Sequence, residues 1–404
     1  MINRTLLLIS LVSRLGTGIA ASVSALFVTQ VAGLSLRSVG LALTAATAVA
    51  VAASIWLGHL ADRLGAREMY AGLLALQAAA TAGLVLVRDV GGYVMVVLAL
   101  AVADLGQRSA QGTVIHAVVA PDQRLATRAR VRVAANLGFA GGAGLGGIVL
   151  AVDTPAAYQG GLLATAVLLL ITLALVLRLP RVPAVTSPTG SWEVLRDRPF
   201  VLFTGLNGLL NIHNPMLIVA IPLWIAVGTD APHWIVSVLL GVNAIGVVLL
   251  QIRLTRGTDS VAGAARAGRR AGVLLALACA ALSLTGRTSI AVTVALLVLA
   301  SIVHVGGEIL ESASGWGASY ALSPPGLVGQ YQGAHAMGRG LGDLIGPTLF
   351  TAIVIPLGLT GWLLTAATFA TAGILTPAVL RTAAPPATPD PHTLPAEPHD
   401  RRPR

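Results

Sequence analysis

Twelve apolar runs of membrane-spanning length, separated by short polar breaks, leave this chain little choice of fold. They cover about residues 5–29, 38–60, 69–88, 92–117, 130–152, 158–178, 200–227, 233–252, 271–286, 289–313, 328–356 and 358–380. A helix needs about 20 apolar residues to cross a bilayer. Twelve of them use up most of the 404 residues and leave no length for a soluble domain. Only 10% of the residues are charged and 55% are hydrophobic, with mean hydropathy +0.83, whereas soluble domains carry roughly 25% charged residues. The predicted class is therefore an all-α polytopic membrane protein.

Two connections are longer than the rest. The segment 181–198, with Pro183, Ser187, Pro188 and Ser191, divides the runs six and six. Residues 1–180 and 199–381 are thus expected to form an N-terminal and a C-terminal six-helix bundle. The tail 382–404 is Pro-rich with scattered charge and no periodicity, and is expected to be a disordered cytoplasmic extension. Met1–Ala21 has the look of a signal peptide, but Arg14 interrupts it, and the polytopic remainder favours a retained first span.

All the basic residues are arginine, a bias that reads as genome composition, and their placement argues against a nucleic-acid partner. With the N-terminus inside, the inner segments hold Arg4, Arg63, Arg67, Arg124–Arg132, Arg178–Arg198, Arg253–Arg270 and Arg381–Arg404, while the outer ones hold only Arg37, Arg88 and Arg287. Such asymmetry predicts a multi-pass protein of the cytoplasmic membrane with both termini cytoplasmic. The one cysteine, Cys279, lies in an apolar run, so neither a disulfide framework nor a cysteine metal site is expected.

One loop reads as a signature. Between the second and third runs stands Gly58-His59-Leu60-Ala61-Asp62-Arg63-Leu64-Gly65-Ala66-Arg67. Its glycines permit a close turn, its acid can cap a helix N-terminus, and its arginines hold the loop inside. The string closely resembles the loop motif of the major facilitator superfamily of secondary transporters, Gly-x-x-x-Asp-Arg-x-Gly-Arg-Arg. Gly58, Asp62, Arg63, Gly65 and Arg67 fit, and Ala66 departs at one basic position. The resemblance implies two pseudo-symmetric six-helix bundles around a central cavity, with the loop as a conformational gate locking the outward-open state. The Arg253–Arg270 segment, where a second copy would stand, lacks the pattern.

Further residues carry chemistry. In the fourth span Asp104, Arg108 and Gln111 share a helix face, and ionisable residues at mid-membrane normally face a cavity or a partner. Arg108-x-x-Gln111-Gly112 resembles the fourth-helix motif of proton-coupled members of the superfamily, which implies a coupling role. A static ion pair is the alternative. In the fifth span Gly138, Gly142, Gly146 and Gly147 resemble the superfamily's antiporter motif, with Ala143 in place of its proline; the same glycines are also read as a helix-packing face. The eleventh span repeats the spacing with Gly338, Gly342 and Gly346. Arg132 and Asn136 are expected to face the inner vestibule.

The tenth span sets His304, Glu308 and Glu311 on one face. As neighbouring carboxylates they are expected to favour each other's protonated form, or else to be water-exposed vestibule residues. Arg339 and Asp343 in the eleventh span are expected to form an i,i+4 salt bridge, near Gln332 and His335. In the seventh span Asn207, Asn211 and Asn214 share a face next to His213. Arg14 is expected to face the cavity. Proton-coupling candidates are thus Asp104, Arg108, Glu308, Glu311 and Asp343. Cavity candidates are Arg14, Gln111, Asn207, Asn211, His304, His335 and Arg339. His213 and His304 stand too far apart for a metal site, and no metal is expected.

No P-loop, nucleophilic triad or dinucleotide turn appears, so neither enzymatic chemistry nor ATP is expected, and the energy source would be a proton gradient without a cofactor. The favoured reading is a monomeric proton-coupled exporter of small amphipathic molecules, drugs or natural products. A sugar or amino-acid transporter, or a non-transporting sensor or scaffold, are the alternatives.

Overall fold

The computed structural model of the protein describes residues 2–182 and 192–383. Half of the 181–198 linker and nearly all of the 382–404 tail fall outside these residues. The described chain forms α1 (Ile2–Val31), α2 (Leu36–Leu64), α3 (Ala66–Leu84), α4 (Val90–Val118), α5 (Arg124–Val152), α6 (Pro155–Leu177), α7 (Arg198–Gly228), α8 (Ile235–Leu254), α9 (Val261–Leu284), α10 (Ile290–Leu322), α11 (Val328–Leu357) and α12 (Leu359–Ala383). By length and composition 11 of them can cross a membrane. The remaining one, α3, falls short because Arg67, Glu68 and Gln77 are among its 19 residues.

Local chemistry sets the helix starts. Ser35, Asp89, Thr154 and Ser260 accept hydrogen bonds from the backbone N–H groups of Ser38, Gly92, Ala157 and Gly263, capping α2, α4, α6 and α9. Three spans are longer than hydropathy predicts. α5 begins at Arg124 rather than 130, α9 at Val261 rather than 271, and α10 runs on to Leu322. The extra turns are amphipathic: Arg128 and Arg132 on α5 and Arg266, Arg269 and Arg270 on α9 depress hydropathy without breaking the helix. Most of the segment read as a loop at 253–270 is therefore helix.

α1–α6 pack on one another, and so do α7–α12. The same device holds both bundles. α5 lies on α1 through Gly138, Gly142 and Gly146, where an added Cβ would strike Leu11, Leu15 and Ser22. α11 lies on α7 through Gly338, Gly342 and Gly346, against Thr204, Gly208 and Pro215. The packing reading of the Gly138 run thus holds for three of its four glycines. Gly147 faces open space and takes no part.

α7 is not straight. It breaks at Ile212, resumes at His213–Pro215, and widens to a π-turn over Met216–Ala220. Proline removes a helical donor and crowds the preceding turn, and a π-turn absorbs the misfit. The break turns His213 into the C-terminal bundle.

Candidate functional site

The first and last described residues, Ile2 and Ala383, end an even number of helices and so lie on one face, here termed the terminal face. On that side the bundles are joined. α11 starts after Leu327, whose side chain offers no cap, so the first N–H groups of the helix need partners from elsewhere. Asp62 of α2 supplies them: its carboxylate accepts the N–H of Gly329 at 2.6 Å and of Gln330 at 3.0 Å. Gly58 makes this approach possible, since a Cβ there would collide with the Gly329 backbone. Gln330 also bonds His59 at 3.1 Å, and the Ser109 hydroxyl donates to the Gly329 carbonyl at 3.3 Å. Gly65, at φ 92°, makes the turn into α3. Arg67 does not cross the seam. It pairs with Glu68 and donates to the Leu177 and Leu179 carbonyls within its own bundle. Arg63 is exposed and has no partner among the described residues.

Above this seam lies a cavity of about 250 Å³ between the bundles. Arg14, Tyr70, Asp104, Arg108, Gln111, Arg128 and Arg132 line it on one side, and Gln251, Ser312, Trp316, His335 and Arg339 on the other. A second cavity of about 390 Å³ shares Arg14, Gln77, Asp104 and Arg108 and runs along α1, α2, α4 and α6 to Ser24 and Leu43, near the opposite face. All of its lining residues belong to the N-terminal bundle.

The ion pairs fix which charges the cavity keeps. Arg108 donates to Asp104 at 2.8 and 3.0 Å, as the i,i+4 spacing predicts, and also stands 3.9 Å from Asp343. Arg132 of α5 pairs with Glu308 of α10, whose other oxygen accepts from Asn243 at 2.6 Å. Arg339 pairs with Glu311 at 2.6 Å. Gln111 donates to Tyr70 at 3.3 Å and accepts from Arg128 at 2.9 Å, and the Arg128 guanidinium lies 3.5 Å above the Trp316 ring.

These contacts correct several expectations. Glu308 and Glu311 are neither water-exposed nor a mutually repelling pair: they are 8% and 0% exposed and each has its own arginine. Arg339 does not bridge to Asp343, which instead accepts from Asn211 at 2.9 Å. Asn207, Asn211 and His304 do not line either cavity; they are buried inside the C-terminal bundle. His213 and His304 are not scattered. The break in α7 brings their rings to 5.2 Å, with Glu308 beside them. Arg14, Gln111, His335 and Arg339 do line the cavity.

Arg128, Trp316 and Tyr70 were missed as cavity residues. Arg128 was hidden in a presumed loop, although it stands one turn before Arg132 on the same face. Trp316 lies beyond the point where hydropathy ends the tenth span.

Solved structures of the same fold are numerous. The human organic anion transporter MFSD10 (TETRAN) is 18% identical, with 95% of this chain and 98% of that chain covered and a TM-score of 0.65. A bacterial homologue of the iron transporter ferroportin in an outward-facing state is 15% identical, covers 95% and 99%, and has a TM-score of 0.73. The proton:xylose symporter XylE is 12% identical over 93% and 94%, at a TM-score of 0.65. No curated protein sequence matches the chain at a significant level. The Major Facilitator Superfamily profile matches residues 6–347, most of the chain, so this multi-pass membrane protein belongs to that family of transporters.

Proposed function

We propose that the protein exports amphipathic organic anions across the cytoplasmic membrane by alternating access, in exchange for protons. The observation that carries this reading is the charge left over in the cavity. Arg108, Arg132 and Arg339 each have a carboxylate partner, whereas Arg14 and Arg128 have none within ion-pair distance among the described residues. A cation in a cleft of low dielectric favours a ligand that brings the missing negative charge. Trp316 and Tyr70 supply apolar surface beside it. An organic anion transporter also stands among the proteins of the same fold.

The arginine-rich terminal face is assigned to the cytoplasm, so the conformation described, joined there by Asp62, is closed on the inside. Asp104 and Asp343 share Arg108, and Asp104 borders both cavities. Protonation of one of these two carboxylates is the coupling step of this reading.

The test is transport by purified protein in liposomes of a fluorescent organic anion, with a cationic and an uncharged probe of similar size alongside. The anion is expected to move, and an inward-directed proton gradient to drive it outward. Arg128→Gln should cost about tenfold to a hundredfold in apparent affinity, the worth of one charge-assisted hydrogen bond of about 1.5–3 kcal/mol. Preference for the cationic probe would overturn the substrate class. Accumulation along the proton gradient would reverse the direction.

A further inference from the structure

We propose that His213, His304 and Glu308 form a binding site for a divalent transition-metal ion, inside the C-terminal bundle and apart from the central cavity. One ring nitrogen from each histidine and one Glu308 oxygen all lie within 4.8 Å of one another. The three side chains come from two helices that the α7 break holds together, and all are buried.

The hydrogen bonds assign the ring nitrogens. His304 Nε2 lies 3.2 Å from the His213 carbonyl, which can only accept, so Nε2 carries the proton. His213 Nε2 lies 3.4 Å from the Glu311 carboxylate and donates in the same way. In neutral imidazoles this leaves both Nδ1 atoms as bare lone pairs. Both are buried, and neither has a hydrogen-bond partner. His304 Nδ1 faces Glu308 Oε2 at 3.8 Å, acceptor against acceptor. His304 Nδ1 and Glu308 Oε2 face each other with no mutual attraction, His213 Nδ1 is a second buried lone pair without a partner, and a cation held by the three side chains satisfies them.

The surroundings fit as well. A histidine that ligates metal almost always donates its other N–H to a carboxylate or a backbone carbonyl, which orients the ring. His213 and His304 do one of each. Glu308 Oε2 is itself steadied by Asn243 at 2.6 Å. Two imidazoles and one carboxylate suit zinc and its neighbours rather than magnesium or calcium. Tetrahedral bonds of about 2.0–2.1 Å place ligand atoms about 3.4 Å apart, so the site closes by side-chain shifts of about 1 Å.

Arg132 holds the other oxygen of Glu308 and thereby ties α5 to α10 across the two bundles. Arginine and metal draw on one carboxylate charge. Metal binding therefore weakens this tie, and by linkage opening of the terminal face strengthens metal binding.

Purified protein in detergent is titrated with Co²⁺, whose visible absorption reports its ligands, and then with Zn²⁺ in competition. One saturable site per chain is expected. It should weaken at least tenfold in His213→Gln and in His304→Gln, survive in the exposed control His233→Gln, and tighten about tenfold in Arg132→Gln, where the competing charge is gone. No cobalt absorption in the wild type, or absorption retained by both histidine variants, overturns the proposal. If those variants do not fold, X-ray absorption of the zinc-loaded wild type decides: two imidazoles support the site, and none overturns it. These measurements need no transport, so the metal site and the organic-anion reading stand or fall separately.

Discussion

An Asp62→Ala variant is expected to remain folded and to lose most of its closure at the terminal face. Asp62 is the cap of a helix that belongs to the other bundle. Leu327 leaves α11 without a local cap, and the Asp62 carboxylate takes up two of its first N–H groups. Hydrogen bonds to a charged partner contribute about 1.5–3 kcal/mol each, and desolvation of the carboxylate offsets part of this, so a net of about 2–4 kcal/mol is at stake. That is a shift of roughly 30-fold to 1000-fold in the ratio of closed to open. The bonds form between bundles, so their loss falls on the conformational equilibrium more than on the fold.

A single reporter cysteine measures it. The native Cys279 is fully buried against Met216, so Thr47→Cys, in the second cavity, can be read on the native background. Its labelling by a membrane-impermeant thiol reagent should fall at least tenfold when Asp62→Ala is added, as the population shifts towards the other conformation. Unchanged labelling would show that the glycine seam at Gly58, Gly329 and Gly333 closes this face without the cap.

The residues that were legible in the sequence explain themselves by local spacing. Asp104 and Arg108 stand four apart on one helix and pair in the structure because nothing but helical geometry is required. The glycine runs at Gly138 and Gly338 were equally plain, since a four-residue repeat of small side chains marks a face that another backbone can approach. Gly147 shows the limit of that reading, because adjacency in sequence puts it 100° around the helix from Gly146. The partners of Glu308, Glu311 and Asp343 were not legible. Each acid met a residue more than twenty positions away, Arg132, Arg339 and Asn211 respectively, and spacing on one helix carries no information about such pairs. The histidine cluster was lost for a related reason: His213 and His304 are 91 positions apart, and only the break at Pro215 turns one ring towards the other. Arg128 and Trp316 were lost at helix ends, where polar or glycine-flanked turns continue the helix after hydropathy has fallen.

Asp104→Asn is expected to abolish concentrative transport while leaving exchange intact. The side chain keeps its shape and its hydrogen bond to Arg108 but gives up the charge that a proton can neutralise. Arg108 lies between Asp104 at 2.8 Å and Asp343 at 3.9 Å, the first on α4 and the second on α11 of the other bundle. Arg14 and Tyr70 on the cavity wall also interact electrostatically with Asp104. While the bundles meet here, one guanidinium faces two carboxylates, and a proton taken up by either leaves Arg108 to the other. When the bundles part, Asp343 leaves Arg108, and the proton balance of Asp104 changes with the conformation. That is the requirement for coupling under the proposed exchange cycle. In liposomes, wild-type protein should move the organic anion against its gradient when the extracellular side is acidic. The Asn variant should only equilibrate it, with an inside-to-outside ratio of one. Exchange of labelled for unlabelled substrate requires no net proton movement and should persist at a comparable rate. Continued concentration by the Asn variant would remove Asp104 from the coupling role. If Asp343→Asn then failed to concentrate, the carrier would be the carboxylate on the other bundle, and Arg108 would exchange partners rather than hold one.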